Sequence, residues 1–581
     1  MRPLLTLITF LLFSFPILAQ EESIDSLAER LKLQRSLFPQ EKLHIMTDRE
    51  LYRPGDTIWM RAWVVEGETL RPRYRGSRFV YSDLRDEMDK AVKWVKIKER
   101  EGRFVGQMVI PKELASGDYT LTGYTYYLLD IAEEFIFRKT IHILAEKDVQ
   151  QGYTVRPLYE GYRPEAPVIQ TNYSYFRRDT LTRVTFEVPD STWLSISVTD
   201  DSMTPVDTTV SLFSMLPQVP DFFSLESVAS DSLFYRPRFP LERTQNIVGR
   251  LTHSVGKRPY KAQLMNLTKP DIAITEIDKN DYFFFRNIDF PDSTLFGIMV
   301  FSANGKQIKE FELESFSPPL IISHLLSDAK NFYVKQTRDS IVPDTTSTAS
   351  ETDLDEKKKK LEEKVKTMLR SSEPDDIYTR SAMKSRYTAT LSEFKYYDIK
   401  EMILKFDGIT FEGDVAKYSS DGKLVPVRFV VNTTEMPIEQ DSLGKYLPQK
   451  ALLFPVEIVY AVDFIHPDIA RTIGRTDYPD SPIIRIDLKN LDEIIFQAGV
   501  NSALKLTMPL GYNKRFTFPN NRLTRAPRAT RFWNPEVFSG SKGQVTLDLP
   551  LPINYHTTYT LRAEGITPDG NPVSLIYRIQ M

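Results

Sequence analysis

The stretch TDRELYRPGDTIWMRAWV, residues 47–64, places a turn rich in charge and proline directly before a strand with two tryptophans. Pro54 fixes its own φ, Gly55 accepts a positive φ, and Asp56 can accept hydrogen bonds from backbone N–H groups. Turn chemistry accounts for every residue of the motif, so we predict that it shapes the backbone and takes no part in catalysis. The residues of this structural motif are Asp48, Arg49, Tyr52, Pro54, Gly55 and Asp56.

The strand after the turn alternates, so its side chains divide between two faces. One face carries Ile58, Met60, Ala62 and Val64, and the other carries Trp59, Arg61 and Trp63. Aromatic rings stack on the apolar faces of sugars, but rings on the strands of a sandwich pack more often into a core. The candidate ligand-contact aromatics of the chain are Trp59, Trp63, Tyr124 and Tyr126.

The bulk composition favours several β domains. The chain has 581 residues, with 28 Tyr and 35 Phe, and it contains short alternating runs, which point to β-rich architecture. At about 150 residues per domain, roughly four domains are expected. The net charge of -3 provides no basic face with which to displace counterions from a phosphate backbone. We therefore predict no nucleic-acid partner.

The N-terminus, MRPLLTLITFLLFSFPILAQEES, has the features of a secretory signal peptide. One arginine precedes an apolar segment, and Pro16 comes just before small and polar residues. No later stretch approaches the roughly 20 apolar residues of a membrane span, so we predict no transmembrane segment in the mature chain. We expect an exported protein that lies in the periplasm or is associated with the outer membrane.

Three ordered blocks resemble the MG2 domain of the α2-macroglobulin group. They are the stretch quoted above, GRFVG at Gly102 to Gly106, and IPKELASGDYTLTGYT at Ile110 to Thr125. The resemblance covers about Lys42 to Ala145 and implies a seven-stranded, fibronectin-III-like sandwich. Macroglobulins that trap proteases use a thioester that needs a cysteine, and this chain has 0 cysteines. The resemblance therefore does not imply thioester chemistry for this chain.

Further regions resemble modules of envelope proteins that carry this domain. The segment IVGRLTHSVGKRPYKAQLMNL…TEIDKNDYFFFRNIDFPD, Ile247 to Asp292, is similar to a carboxypeptidase-regulatory-like domain, in which Asp281 replaces a usual glycine. Met508 to Pro519, with FWNPE at Phe532 to Glu536, is similar to the tail of the same proteins. Tyr396 to Phe496 lies where they carry a TonB-receptor-plug-like module, and its mixed helix and strand pattern predicts a degenerate form of it.

The predicted fold class is mainly β: a multidomain chain of Ig- or fibronectin-III-like and transthyretin-like sandwiches with a small α/β plug-like module. The predicted segments are a signal peptide (1–20), an N-terminal helical segment (21–41), an MG2-like β-sandwich (42–145), a second β-rich region (146–243), a carboxypeptidase-regulatory-like β-sandwich (244–320), a linker with a charged helix (321–378), a degenerate plug-like α/β region (379–500) and a C-terminal β region (501–581).

The sequence carries no recognisable catalytic or metal-binding motif. With no HExxH, GxSxG, EF-hand, phosphate-binding loop or dinucleotide fingerprint, we predict no catalytic residue, no metal site and no cofactor. The histidines lie in separate segments, at His44, His142, His253, His324, His466 and His556. Two glycosidase carboxylates have no fixed spacing along a chain, so the sequence leaves an enzyme open.

We therefore expect a non-catalytic envelope protein that binds or assembles with a partner, such as an outer-membrane receptor or a surface complex. A glycan or a peptide is the candidate ligand. Two alternatives stay open: a secreted hydrolase acting on polysaccharide or peptide, and a thioester-free macroglobulin-like protease inhibitor with a cleavable segment at Asp339 to Asp376. Acidic or imidazole side chains gathered from distant segments into one enclosed hollow would indicate a catalyst.

Overall fold

The structure, a computed structural model of the chain, divides into two compact units. The first unit comprises Met1–Arg243, Pro318–Leu325 and Tyr512–Met581, and the second comprises Thr244–Ser317 and Leu326–Gly511. The residues that the structure describes are 24–38, 40–72, 76–130, 135–145, 182–204, 211–212, 216, 241–253, 258–313, 386–387, 399–420, 422–472, 477–490, 494, 498, 503–520, 528–549, 551 and 558–580.

The chain is mainly β, as the sequence predicts. The first strands are β1 (Glu41–Thr47), β2 (Leu51–Tyr52), β3 (Thr57–Glu66), β4 (Phe79–Arg85), β5 (Ala91–Arg100), β6 (Arg103–Val109), β7 (Gly117–Tyr124), β8 (Phe137–Ile143), β9 (Thr182–Glu187) and β10 (Trp193–Asp200). The strands of the second unit are β11 (Gln245–Leu251), β12 (Lys261–Asn266), β13 (Asp271–Glu276), β14 (Tyr282–Ile288), β15 (Phe296–Phe301), β16 (Gln307–Ile308), β17 (Phe311–Leu313), β18 (Arg386–Tyr387), β19 (Ile409–Glu412), β20 (Val415–Ser420), β21 (Lys423–Pro426), β22 (Arg428–Val431), β23 (Thr434–Met436), β24 (Val459–Ile465), β25 (Ile483–Leu488) and β26 (Lys505–Thr507). The last strands are β27 (Thr530–Phe538), β28 (Gln544–Leu549), β29 (Thr558–Ile566) and β30 (Pro572–Gln580).

Helices are few and short in the described ranges. They are α1 (Ile24–Leu37), α2 (Ile399–Ile403) and α3 (Pro467–Ala470), with 3₁₀ turns at Leu128–Asp130, Lys450–Leu453 and Val456–Ile458. Helix α1 lies within the segment 21–41, for which the sequence predicts a helix. None of the described helices is long and apolar enough to cross a bilayer.

The first sandwich is a ladder of strands with the order β1-β3-β6-β5-β4-β7-β8-β2. Because β5 pairs with β6 at one end and with β4 along most of its length, the ladder folds over a single core. Ile58, Met60 and Ala62 enter this core with at most 1% exposure, as their alternation predicts. The two-residue strand β2, which runs parallel to β8, adds an eighth strand to the seven that the resemblance implies.

The second sandwich is assembled from two distant parts of the chain. Its larger sheet has the order β27-β10-β29-β30, and β9 pairs with β28 in a smaller sheet. Leu194 and Ile196 from the first part pack with Leu561 and Ile579 from the last part in one core. The prediction of separate regions at 146–243 and 501–581 misses this pairing, because alternation identifies a strand but not its partner.

Residues 245–313 of the second unit form two sheets around one core. Their orders are β14-β11-β17 and β13-β12-β15-β16, and β26 is added beside β15. Phenylalanines fill much of the core, among them Phe283, Phe285, Phe290, Phe296 and Phe311. The assignment of this region to the carboxypeptidase-regulatory-like class stays a prediction.

The turn before β14 explains how the region does without the usual glycine. Asp278 Oδ1 accepts hydrogen bonds from the backbone N–H groups of Asn280 and Tyr282 at 2.8 and 2.9 Å. Asp281 has a φ of 69°, which lies in the left-handed region that glycine adopts most readily. Asp and Asn tolerate this region better than other side chains do, so the turn keeps the backbone that the glycine would supply.

The rest of the second unit is a mixed sheet with the order β18-β24-β25-β22-β23. Strands β22 and β25 run parallel, and the other neighbours run antiparallel. The meander β19-β20-β21 and helix α2 share a core with this sheet, in which Ile403, Phe429 and Ile484 are buried. The mixed helix and strand pattern predicted here is present, and the plug-like assignment stays a prediction.

Three predicted features lie outside the described residues. They are the signal peptide (1–20), the linker with its charged helix (321–378), and the cleavable segment within that linker.

Candidate functional site

The turn motif of the first sandwich is built around the buried carboxylate of Asp48. Tyr52 Oη donates to Asp48 Oδ1 at 2.7 Å, and the backbone N–H of Trp59 donates to the same oxygen at 3.0 Å. Thr530 Oγ1 of the second sandwich donates to Asp48 Oδ2 at 2.6 Å. Burial raises the pKa of the Asp48 carboxyl, and Arg49 and these hydrogen bonds offset only part of that effect. Asp48 therefore joins the turn to β3 and to the second sandwich.

Arg49 holds the remainder of the turn. Its Nη2 donates to Asp56 Oδ2 at 2.6 Å, and its guanidinium carbon lies 4.4 Å from the ring centre of Tyr52. Gly55, which follows Pro54, has a φ of 89°, a conformation that costs any other residue steric strain. The structure thus brings all the residues of the sequence motif together in one corner. Their hydrogen-bond partners fix the conformation of the turn, and no arrangement typical of substrate binding is present among them.

A buried charge cluster lies beside this corner, where the two sandwiches of the first unit meet. Its members are His44, Glu50, Lys139, Arg562 and Glu564, with side chains that are at most 6% exposed. Lys139 Nζ and Arg562 Nη1 both donate to Glu50 Oε1, the former at 2.8 Å. His44 Nε2 lies 2.8 Å from Glu564 Oε2. The cluster therefore joins Glu50, from the turn between β1 and β2, to Lys139 of β8 and Arg562 of β29, and His44 of β1 to Glu564 of β29.

The electrostatics of the cluster favour ionised carboxylates. Burial raises the pKa of Glu50, but Arg562 and Lys139 outweigh it and lower that pKa to about 2. Burial likewise opposes ionisation of Glu564, and His44 and then Arg562 bring its pKa below the usual value. Burial lowers the pKa of Arg562, but Glu50 and Glu564 outweigh it and raise that pKa. Each charge is thus stabilised by an opposite one.

A gathering of imidazole and carboxylates from distant segments is also what a catalyst would show. Here the groups are packed against one another and almost completely shielded, so a substrate has no path to them. His44 Nε2 is taken by Glu564, and His44 Nδ1 has no hydrogen-bond partner among the described residues. A general base needs a nucleophile or substrate proton within hydrogen-bond reach, and this imidazole has neither. The arrangement is that of a structural ion-pair network.

The other histidines do not form a site in the described ranges. His142 lies at the strand surface beside Asp118, with 2.6 Å between Nδ1 and Oδ1, and His466 caps α3 by accepting from the N–H of Asp468. His324 and His556 lie outside the described residues. No group of three or more His, Cys, Asp or Glu that could hold a metal ion occurs in the part of the chain described.

Two of the candidate ligand-contact aromatics are buried. Trp63 is 6% exposed and packs with Trp533 of the second sandwich, and Tyr124 is 1% exposed and stacks on Tyr81 with 5.7 Å between ring centres. Neither ring offers a face to a ligand, so the interpretation of Trp63 and Tyr124 as ligand contacts is corrected to packing. The second sandwich covers Trp63, and a neighbouring strand covers Tyr124. The sequence alone does not predict either neighbour.

The remaining candidates are partly accessible. Trp59 is half-buried, with its ring edge-on to Phe518 at 5.5 Å between centres, and Tyr126 is half-buried after the end of β7. Among the described residues of the first unit, Phe516 and Phe538 have more exposed rings, at 64% and 48%.

An arginine patch lies on the outer face of β3 and β6, where the second sandwich meets the first. It consists of Arg61, Arg103, Arg515 and Glu536. Arg103 Nε donates to Glu536 Oε1 at 2.8 Å across 433 residues of sequence, and Arg515 donates to Glu536 Oε2. The sequence signal was the position of Arg61 between Trp59 and Trp63. The partners could not be found, because they come from a segment hundreds of residues away.

Comparison with known proteins supports the first sandwich as a recognised domain. Residues 42–128 match the model of the MG2 domain. This region is an MG2 domain. No curated protein sequence matches the chain. The MG2 domain contains both the turn motif and His44, Glu50 and Arg61, so the buried charge cluster and the arginine patch both lie at its boundary with the second sandwich.

Solved structures of bacterial macroglobulins align with most of the chain at low similarity. Salmonella alpha-2-macroglobulin reacted with methylamine has 7% sequence identity and a TM-score of 0.24, with 93% of this chain and 39% of that chain covered. Escherichia coli alpha-2-macroglobulin activated by porcine elastase has 9% identity and a TM-score of 0.24, with coverages of 93% and 44%. The Yersinia pseudotuberculosis adhesin InvE has 10% identity and a TM-score of 0.13, with coverages of 47% and 57%. The chain spans about two fifths of the length of the macroglobulin structures, and TM-scores this low carry no argument about function.

Proposed function

We propose that the protein is a non-catalytic binding or assembly protein of the cell envelope. The observation that carries the proposal is the buried charge cluster. The acid and base groups that the fold gathers from distant segments are consumed in joining the MG2 domain to the second sandwich, and they are shielded from any substrate. Because these ion pairs fix the two sandwiches of the first unit against each other, the unit presents rigid surfaces for recognition.

The surface of the first unit supports recognition by contact. Phe516 is 64% exposed, Phe538 is 48% exposed and Trp193 is 37% exposed. Large exposed rings are enriched at protein interfaces, because they bury much area with little loss of conformational freedom. The partner class that fits the predicted export signal is an envelope protein, such as an outer-membrane receptor or a surface complex, with a peptide or a glycan as the ligand.

The remaining modules are part of the same proposal. Residues 244–320 act as a carboxypeptidase-regulatory-like sandwich and residues 379–500 as a degenerate plug-like region. The two-sheet architecture of the former and the mixed sheet of the latter support these assignments. Together with the MG2 domain they make a chain of interaction modules.

The experiment is co-purification from detergent-solubilised envelopes, with the full chain as bait and mass spectrometry of the bound proteins. The control bait carries Phe516→Ser and Phe538→Ser, which remove two exposed rings and no core side chain. Recovery of one envelope protein in stoichiometric amount by the parent chain, and its loss with the control bait, is the expected result. Recovery of no partner, together with hydrolysis of any member of a glycan or peptide panel, would overturn the proposal in favour of the hydrolase.

The MG2 domain favours a second candidate, a protease inhibitor that works without a thioester. The chain has 0 cysteines, so inhibition would depend on cleavage and steric enclosure alone. Limited digestion with trypsin or elastase tests it. A single early cut within residues 339–376, followed by a stable complex with the protease on size-exclusion chromatography, supports the inhibitor, and cleavage with no complex removes it.

A further inference from the structure

Arg61 is a buried cation that forms no direct ion pair with any of the described residues. It is 4% exposed, its Nε and Nη1 have no hydrogen-bond partner among the described residues, and its guanidinium carbon lies 5.4 Å from the ring centre of Trp63. Burial lowers the pKa of Arg61 to about 9, with Glu536 acting in the opposite direction, so the side chain is still charged at neutral pH. A buried guanidinium with unmet N–H groups is costly to the folded state unless an anion completes it.

The carboxylate that offsets part of the charge of Arg61 already has two other partners. Glu536 accepts from Arg103 at one oxygen and from Arg515 at the other. Arg103 also pairs with Glu101, whose side chain is 80% exposed and therefore weakly coupled. Arg103 and Arg515 add to the lowering of the pKa of Arg61, so the positive groups act on one another. The arginine patch thus holds three guanidinium groups near one half-buried carboxylate.

Exposed rings lie next to these charges. Arg103 stacks over Trp193 with 4.2 Å between its guanidinium carbon and the ring centre, and Trp193 contacts Phe538 with 4.9 Å between ring centres. Phe516 follows Arg515 directly and is 64% exposed. An excess of positive charge beside apolar rings is complementary to a ligand that carries carboxylates next to apolar side chains.

We propose that the arginine patch binds an acidic segment of the partner protein, with carboxylates at Arg515 and Arg103 and apolar side chains against Phe516 and Phe538. Glu536 argues for a carboxylate over other anions, because the patch already binds one, with Arg103 at one carboxylate oxygen and Arg515 at the other. The negative charge of the ligand offsets the positive charge of Arg61. Arg61 does not contact the ligand and acts as a positioning residue through its charge. This inference rests on the function proposed above and names the chemistry of the partner.

The test uses the full chain and a fluorescein-labelled peptide of alternating glutamate and leucine, with a peptide of alternating glutamine and leucine as the matched probe. Fluorescence anisotropy at low salt gives the dissociation constants. We expect binding of the acidic peptide alone, weakened at least tenfold by Arg61→Met and by Arg515→Gln. Arg183→Gln is the control, because Arg183 is an exposed, ion-paired arginine outside the patch. The control should bind the peptide as the parent chain does.

A second measurement separates loss of binding from loss of folding. Arg61→Met removes an unpaired buried charge and replaces it with a shorter apolar side chain. Relief of the buried charge should outweigh the lost packing, so the thermal midpoint should equal or exceed that of the parent chain. A lower midpoint means that Arg61 serves packing only and overturns the proposal. Equal binding of the two peptides, or unchanged binding by both patch variants, also overturns it. If the chain binds polygalacturonate and does not bind the acidic peptide, the proposal is overturned and the ligand of the patch is an acidic glycan.

Co-purification distinguishes failure of this proposal from failure of the proposed function. If the partner is recovered by the parent chain and by Arg61→Met in equal amounts, assembly stands and the arginine patch is not its site. If the partner is lost with Arg61→Met alone, the patch is the docking surface. If the parent chain recovers no partner, the proposed function fails whatever the peptide does.

Discussion

Glu50→Gln tests whether the buried charge cluster holds the two sandwiches of the first unit together. The substitution keeps the shape of the side chain and removes the charge that faces Lys139 and Arg562. Lys139 Nζ is 2.8 Å from Glu50 Oε1, and Arg562 Nη2 also donates to a backbone carbonyl at 2.6 Å, so neither cation can turn to water. Both would stay buried without their carboxylate.

The structure sets the size of the expected effect. The shift in the pKa of Glu50 from 4.5 to about 2 corresponds to about 3 kcal/mol, at about 1.4 kcal/mol for each tenfold change in proton affinity. Removal of one partner from a buried ion pair costs about 3–5 kcal/mol. We therefore expect Glu50→Gln to lower the free energy of unfolding of the first unit by about 3 kcal/mol.

Urea unfolding followed by tryptophan fluorescence measures this loss selectively. All 5 tryptophans lie in the first unit, so the signal reports on that unit alone. Asp548→Asn is the matched control, because it breaks an ion pair with Arg183 between two strands of the second sandwich that is exposed to solvent. The control should change stability little. A loss below about 1 kcal/mol for Glu50→Gln would refute the reasoning, since it would mean that the cluster is solvated or dispensable.

Three further outcomes are expected from the same unfolding assay. Because the pKa of Glu50 in the folded chain is below its usual 4.5, its contribution is complete above pH 4.5 and is lost as the pH falls toward about 2; a flat profile in the parent chain over that window would contradict this. Gly570→Ala should destabilise the first unit by about 1–3 kcal/mol, because φ is 92° and the added Cβ would lie 2.1 Å from a backbone oxygen. Gly540→Ala, with φ 68° and no atom within 4 Å, should cost less; equal losses would show that the contact is relieved. Asn520→Ala should cost about 1–3 kcal/mol, because its amide bonds both the N–H and the carbonyl of Trp533 at 3.0 and 2.9 Å, and an unchanged midpoint would show that water replaces it.

Local patterns of the sequence predict local structure well in this chain. The alternation of Ile58, Met60 and Ala62 places these residues in the core of the MG2 domain, as observed. The Asp-Gly pair at Asp569-Gly570, a common hairpin-turn sequence, joins β29 to β30, with Gly570 in the positive-φ conformation that such turns require. In each case the physical cause lies within a few residues, so the sequence carries it directly.

Features that depend on distant contacts could not be predicted. Glu50 and Arg562 are separated by 512 residues, and no pattern along the chain shows that they meet. The same holds for the arginine patch and for the partners of β10. Trp63 and Tyr124 are candidate ligand contacts by sequence because they are aromatic and lie on strands. In the structure both are buried by neighbours that the sequence does not predict. Pairing partners across long separations are set by the fold as a whole, and a single sequence does not encode them locally.

The divided origin of the second sandwich delays its folding during synthesis. Asp200 of β10 and Arg531 of β27, which form an ion pair at 2.9 Å, are 331 residues apart. At about 5–20 residues per second, roughly 15–65 seconds pass between their emergence. Throughout that interval β9 and β10 present unpaired backbone groups and apolar side chains to other nascent chains. Mutations that slow translation of the inserted unit should therefore promote aggregation without altering the finished molecule.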